Sequence, residues 1–443
     1  MFETFKNAFR APDLRKKLFY TLFILIIFRI GNAIVVPFLD PTAIQSMADS
    51  VASAGFLGYL DILSGGAFSS GSILALSITP YINASIIIQL LTIAIPPLER
   101  LAKDGESGRK KIGKITRYVT MGLALVQAFG FYTLLRNKYN VLDSSYVNVS
   151  GGITFEEILV ATTIILMLTA GAAVIVYLGE RINDKGIGNG ISIILFAGIV
   201  SRGPQAVNQI IRWWELGLQG DTKYFFFIPG MILIFIAVIV FIVIMNNAER
   251  RIPVQYAKRV VGRKVYGGQS THIPIKVAMS GVMPIIFASA ILSLPQMLYQ
   301  FFGNNATDGA WAVINSIFSP SGWLYALLYF ILIIAFNYFY IYTQYNPVEI
   351  ANNIRKNNGA IPGIRPGKPT STFIQKVISR ITFIGALFLA VIALLPIILS
   401  WVSGEQGISL GGTSMLIVVG VALDTMRQLE SQMMMKHYKG FLE

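Results

Sequence analysis

Residues 64–95 read SGGAFSSGSILALSITPYINASIIIQLLTIAI, and this stretch decides the fold class. Its second half has the length and apolarity of a membrane span. Its first half is equally uncharged but loose: Ser64 to Ser72 carries three Gly and four Ser among nine residues. No charge occurs between Asp61 and Glu99, so the whole stretch suits membrane depth. In hydrocarbon an unsatisfied backbone group costs on the order of several kcal/mol, so irregular chain at that depth must be enclosed by protein or line a water-filled cavity. The question is what cavity.

Composition supports a membrane setting. Of 443 residues, 54% are hydrophobic and 13% charged, whereas a soluble domain carries about a quarter charged residues. The chain has no cysteine, which excludes disulfides and thiolate chemistry, and its two histidines, His272 and His437, lie far apart. No metal site and no cofactor is expected from such a residue set. The basic N-terminal segment 1–17 has no small-residue cleavage site before the first apolar run, so that run reads as a retained span and not a signal peptide.

A span needs about 20 mostly apolar residues. Ten candidates lie near 18–37, 73–95, 117–135, 157–178, 188–202, 225–246, 275–299, 322–342, 378–400 and 408–427. An even number puts both termini on one side. With the N-terminus cytoplasmic, 30 Lys and Arg fall in cytoplasmic segments and 5 in the opposite ones, with Arg29 inside the first span. This bias orients the chain with both termini in the cytoplasm. Ten spans divide into an N-terminal half (18–202), an external hinge loop (203–224) and a C-terminal half (225–430), followed by a cytoplasmic tail (431–443). Because five is odd, the second half would run inverted to the first, with a site near midplane between them. The expected fold is therefore all-α, two inverted halves of five helices around a central pore.

Two cytoplasmic loops are long and basic, 247–275 and 343–379. Apolar residues interleave with the bases (Tyr256, Val260, Val261, Val265, Tyr266), and "IPGIRPG" is turn chemistry that fixes a shape. Simple contact with anionic lipid is one reading. The other is a pair of shaped docking surfaces for a large acidic partner.

The spans carry almost no Asp, Glu, Lys or His, which argues against a pump or ion-coupled solute transporter. Arg29 is the exception, suited to snorkelling or to capping carbonyls. "GRKKIGKI" at 108–115 imitates a phosphate loop, but Ile115 stands where a magnesium-holding hydroxyl belongs and no strand precedes it. "GIGNG" at 186–190 lacks the βαβ surroundings of a dinucleotide site. Nothing in the residues points to covalent catalysis. A membrane-protein insertase would need a polar intramembrane groove, for which one Arg is thin support.

Several long motifs occur in order along the chain: "ITPYINASIIIQLL", "KDGESGRKKIGKITRY", "LGERINDKGIGNGISIILFAGIV", "RRIPVQYAKRVVGRKVYGGQSTHIPIKV", "NPVEIANNIRKNNGAIPGIRPG" and "GGTSMLIVVGVALD". Together they resemble the SecY family of bacterial protein-translocase channels, in the style of Gram-positive members. The resemblance implies a channel for unfolded secretory polypeptides in the plasma membrane that releases apolar segments sideways into lipid. It implies SecE and SecG as companion subunits, a SecA-type ATPase or a ribosome as driver, and preproteins with signal sequences and membrane lipids as further contacts.

The same resemblance assigns roles. The plug maps to about 57–70, with Leu63, Ser64, Gly65, Gly66, Ala67 and Phe68 at its heart. The small residues there would pack without wedging the halves apart, and glycine weakens a helix that has to leave. The pore ring maps to Ile78, Ile82, Ile191, Leu195, Ile286 and Ile417, six branched aliphatics of a kind that dewets a narrow passage. Gln89 and Asn189 map near a lateral gate between the halves, where polar contacts are each worth on the order of 1 kcal/mol and could latch it. Arg250, Arg251, Lys258, Arg259 and Arg365 map to partner docking. On residue pattern alone, the plug could equally be a rigid re-entrant loop or an ordinary external loop, and the isoleucines could face lipid.

Overall fold

The computed structural model describes residues 9, 11–53, 55–143, 155–219, 223–256, 259–261, 264–266, 270–302, 313, 316–319, 322–403 and 412–439. The N-terminal half comprises α1 (Pro12–Ala33), α2 (Pro41–Ser53), α3 (Gly55–Ser64), α4 (Thr79–Ala94), α5 (Pro96–Lys103), α6 (Gly105–Asn137), α7 (Phe155–Lys185) and α8 (Gly190–Ser201). Next come α9 (Gly203–Leu218) and α10 (Lys223–Asn247), then strands β1 (Glu249–Tyr256), β2 (Arg259–Val261), β3 (Lys264–Tyr266) and β4 (Ser270–Lys276). The rest is α11 (Met283–Phe302), α12 (Trp323–Gln344), α13 (Pro347–Lys356), β5 (Gly359–Ala360), α14 (Lys368–Ser403) and α15 (Gly412–Lys439).

A helix occupies each of the ten expected spans. Among the described residues, six stretches are long and apolar enough to cross a membrane, or seven if α4 and α5, bent by 101° at Ile95, count as one broken span. Pro96 and Pro97 open the second arm of that bend, where a missing N–H costs nothing. Several boundaries differ from the expected ones. The second span starts at Thr79 and not 73, because 65–78 is a run of turns. The segment 203–218, expected as a hinge loop, is helical and follows α8 directly. The seventh span starts at Met283, since Ile275 and Lys276 still belong to β4 and turns fill 277–282. The ninth starts at Lys368, ten residues before the expected 378.

The turns at 65–78 answer the backbone question. Val36 N–H donates to Gly71 O at 2.9 Å and Ile73 N–H to Ile34 O at 3.0 Å, so the chain leaving α1 pairs with the loose stretch. Ser72 N–H bonds Ala67 O, and Ser77 N–H bonds Leu74 O. Protein, not lipid, surrounds them: a Cβ on Gly171 of α7 would stand 2.0 Å from Ile73 O. Only glycine allows that approach.

The two halves have separate apolar cores. One gathers Met47, Val51, Leu57, Phe131, Leu135 and Ile164; the other gathers Ile242, Ile285, Leu292, Ile333, Leu389 and Ala393. They meet along two seams: α11 lies against α4 and α6, and α15 against α8. A buried polar set pins the start of α11, with Ser280 Oγ bonded to Asn337 and Asn337 Nδ2 donating to Thr382 O at 2.8 Å.

The fold is otherwise helical, but the two basic loops form a small sheet of order β4-β1-β5. β1 pairs antiparallel with β4 from Glu249↔Lys276 to Gln255↔Ser270, and with β5 at Gln255↔Ala360. Ile252 and Val254 point down onto Ile354, Ile361, Ile374 and Ile378. The two loops are thus one built structure on its own apolar base.

Candidate functional site

All six residues mapped to the ring fall in one hydrophobic cluster. Ile78, Leu195 and Ile417 are buried within it, and Ile82, Ile191 and Ile286 pack on it partly buried. They come from α4 and the residue before it, α8, α11 and α15, so the cluster draws on both halves. Leu63 and Ala67 of the plug segment belong to the same cluster. Ile78 owes its place to a local rule: it precedes a helix whose second residue, Pro80, needs a free end.

On one side of these residues opens a cavity of about 640 Å³. Leu195, Ile286, Ile417, Asn189, Ser192 and the strand residues Ile273–Lys276 are among those that line it. Among the described residues that line it, none belongs to 57–70. Three of the six aliphatics thus line a cavity that residues 57–70 do not reach.

The segment mapped as the plug is a helix end followed by turns. Gly65 and Gly66 have φ of 68° and 93°, in the region that favours glycine. Phe68 packs on Phe131 with ring centroids 4.6 Å apart. Polar ties hold it as well. Arg29 Nη1 donates to Gly65 O at 3.0 Å, Asn32 Nδ2 to Ser64 O at 3.0 Å, and Arg202 forms an ion pair with Asp61. Sequence reading left Arg29 without an assigned partner and did not single out Asp61 or Arg202. The only sequence signal was their position, charges flanking an uncharged stretch.

Gln89 and Asn189, mapped near the lateral gate, each bond within their own helix. Gln89 Nε2 donates to Ser85 Oγ at 3.4 Å on its own helix. Asn189 caps α8 by accepting from Ile191 N–H and Ser192 N–H. Gln89 lies on α4, which meets α11, while the turn at Gly188 lies against Thr425 of α15. The two residues thus sit on different seams between the halves.

Of the residues mapped to partner docking, those described lie on the strands and the turn beside them. Arg250 and Arg251 are exposed on β1, and Arg251 Nε donates to Glu249 Oε1 at 2.7 Å. Arg259 pairs with Tyr266 in the β2–β3 hairpin, and Lys258 lies outside the described residues. Arg365 is exposed between Gly363 (φ 80°) and Gly367 (φ 109°). Its own carbonyl accepts from Thr370 Oγ1 at 2.8 Å, and Ile361 anchors the turn in the apolar base.

A family model described as SecY matches residues 72–426. The protein translocase subunit SecY of Streptomyces scabiei is 43% identical over 448 residues, covering 100% of both chains. That of Halalkalibacterium halodurans is 43% identical over 450 residues with the same coverage. The chain belongs to the SecY family. It is a multi-pass membrane protein and a translocase subunit, from a family of channels and not of enzymes. A solved structure described as that of a protein conducting channel matches with a TM-score of 0.63 at 22% identity, covering 94% of this chain and 92% of that one. A second, from a study of the SecY plug domain, matches with a TM-score of 0.62 at 22% identity and the same coverage. At that identity the likeness shows the fold.

Proposed function

We propose that this chain passes unfolded secretory polypeptides through the ring of Ile78, Ile82, Ile191, Leu195, Ile286 and Ile417, from the basic, cytoplasmic mouth outward. The supporting observation is one arrangement: aliphatics from both halves share a cluster with Leu63 and Ala67 of the glycine-rich segment, and three of them line a cavity beside the basic sheet. A narrow ring of branched aliphatics dewets, which stops ions. Such side chains also yield around any passing sequence, because dispersion contacts are individually weak and non-directional. Segment 57–70 closes the outer side at rest.

The two halves part at the seam of α4 and α6 with α11, and an apolar segment leaves there into lipid. The spans hold no coupling chemistry, so the driving energy comes from partners. A SecA-type ATPase or a ribosome docks on Arg250, Arg251, Lys258, Arg259 and Arg365. SecE clamps the halves, and SecG lies at the periphery. The protein resides in the plasma membrane with both termini cytoplasmic, as the 30-to-5 distribution of Lys and Arg favours.

The test is reconstitution with the companion subunits and ATPase in vesicles. Entry of a radiolabelled, unfolded secretory chain into a protease-protected lumen is expected, and uptake of small solutes alone would contradict the reading.

A further inference from the structure

The plug segment is tied down by charge, and every tie comes from the N-terminal half. Asp61 is the only acid near the loose stretch, and its side chain is 5% exposed. It pairs with Arg202, whose side chain is 16% exposed and which stands in the joint between α8 and α9. The second oxygen of Asp61 is also used: Oδ1 accepts from Ser69 N–H at 2.8 Å, across the turn. Arg202 Nη2 reaches Ser69 Oγ at 3.1 Å, so carboxylate, guanidinium and turn close a loop. Gly66 lies under the guanidinium, where a Cβ would sit 3.4 Å from Arg202 Cζ. Arg29 and Asn32 of α1 take the adjacent carbonyls of Gly65 and Ser64. Ser201 Oγ contributes a longer bond, 3.4 Å, to Gly65 O.

A desolvated ion pair contributes little net stability, but leaving one partner unpaired is strongly unfavourable. Such a pair therefore acts as an all-or-none contact: it holds, or both charges find water. The segment's other ties are single hydrogen bonds to its backbone carbonyls, from Arg29, Asn32 and Ser201, and apolar contacts, none of which joins two buried opposite charges.

We propose that Arg202 is the positioning residue of the plug, acting through Asp61. The Arg202–Asp61 pair is the lock that sets how readily the segment leaves. The assignment rests on reading 57–70 as the plug. Parting the halves at α4 and α11 breaks none of these contacts, since Asp61, Arg202, Arg29 and Asn32 all belong to α1, α3 and the end of α8. Release of the plug needs this lock to yield in addition to the seam.

The chain's lack of cysteine makes the test clean. Ala67, fully buried in the plug, becomes a reporter as Ala67→Cys in the full complex in membranes. The rate of its labelling by a water-soluble maleimide is measured in four backgrounds: parent, Asp61→Asn, Arg202→Gln, and the exchanged pair Asp61→Arg with Arg202→Asp. Faster labelling is expected in both single variants, with return toward the parent rate in the exchanged pair. A merely structural contribution would not be restored by exchanging the charges. Unchanged labelling in the singles overturns the lock, and so does an exchanged pair that labels like them or fails to accumulate. Resting ion conductance is recorded on the same variants in a ring-wetted Ile286→Asn background. Faster labelling with no rise in conductance would mean that the lock is real but 57–70 is not a plug.

Discussion

Ile78 and Ile417 stand 339 positions apart in opposite halves, yet share one buried cluster, at 0% and 2% exposure. No element of either half alone makes that cluster. A constriction assembled this way fails if its apolar character is lost at a few positions. Replacing Ile78, Ile82 and Ile286 together with Asn is expected to wet the passage and raise resting ion conductance in planar bilayers, with membrane insertion unchanged. Conductance at the parent level would contradict the ring.

Deleting residues 57–70 should leak less than that triple substitution. The ring remains after the deletion and still dewets. Single-channel recording of the two variants side by side checks the order, and a larger leak from the deletion would place the seal in the plug.

Arg365 and Lys368 are both exposed and only three positions apart. Arg365 sits in a turn fixed by two positive-φ glycines and a buried Ile361, so its direction is set before a partner arrives. Lys368 opens α14, facing solvent. Losing a desolvated charge contact costs about 2–5 kcal/mol, while losing a rim charge mainly alters on-rate. Arg365→Glu is therefore expected to abolish ATPase-driven transport at normal abundance, and Lys368→Glu to slow it mildly. Equal, mild effects would mean that the loop acts through net charge alone.

Gln89 and Asn189 should now behave differently. Asn189→Leu removes the cap of α8 and is expected to lower stability by about 1 kcal/mol. Gln89→Leu removes one long bond within α4 beside the α11 seam, so it should shift how apolar a signal sequence must be for transport. Thermal unfolding in detergent and a graded signal series separate the two. A shifted signal threshold from Asn189→Leu without loss of stability would restore the latch.

Gly190 offers a check on packing. A Cβ there would stand 1.9 Å from Gly179 O, so backbone meets backbone where α7 turns into α8. Gly190→Ala is expected to destabilise the half by about 1–3 kcal/mol, as overpacking does. Melting temperature in detergent measures it, and an unchanged value would show that α8 can shift freely.

Much of this was legible from sequence because lipid narrows the choices. Spans and the two basic loops follow from apolar runs and Lys/Arg placement, and a helix occupies each expected span. Helix starts were less legible. Residues 73–78 are as apolar as the helix they precede, so hydropathy could not show that their backbone pairs with α1 instead. The β1–β4 pairing was hidden because only Ile252 and Val254 alternate inward along β1. At the site, the aliphatics carry no chemistry that singles them out from lipid-facing ones, and only family resemblance selected them. The Arg202–Asp61 pair joins positions 141 apart, which no local pattern reveals.

The most direct measurement of the central claim is contact between the ring and a chain in transit. A secretory chain carrying one cysteine is arrested midway, and disulfide formation is measured to Ile286→Cys and, as a lipid-facing control, to Ile331→Cys, which is 52% exposed. The account expects an adduct at 286 and none at 331. Adducts at 331 with none at 286 would contradict a path through the ring.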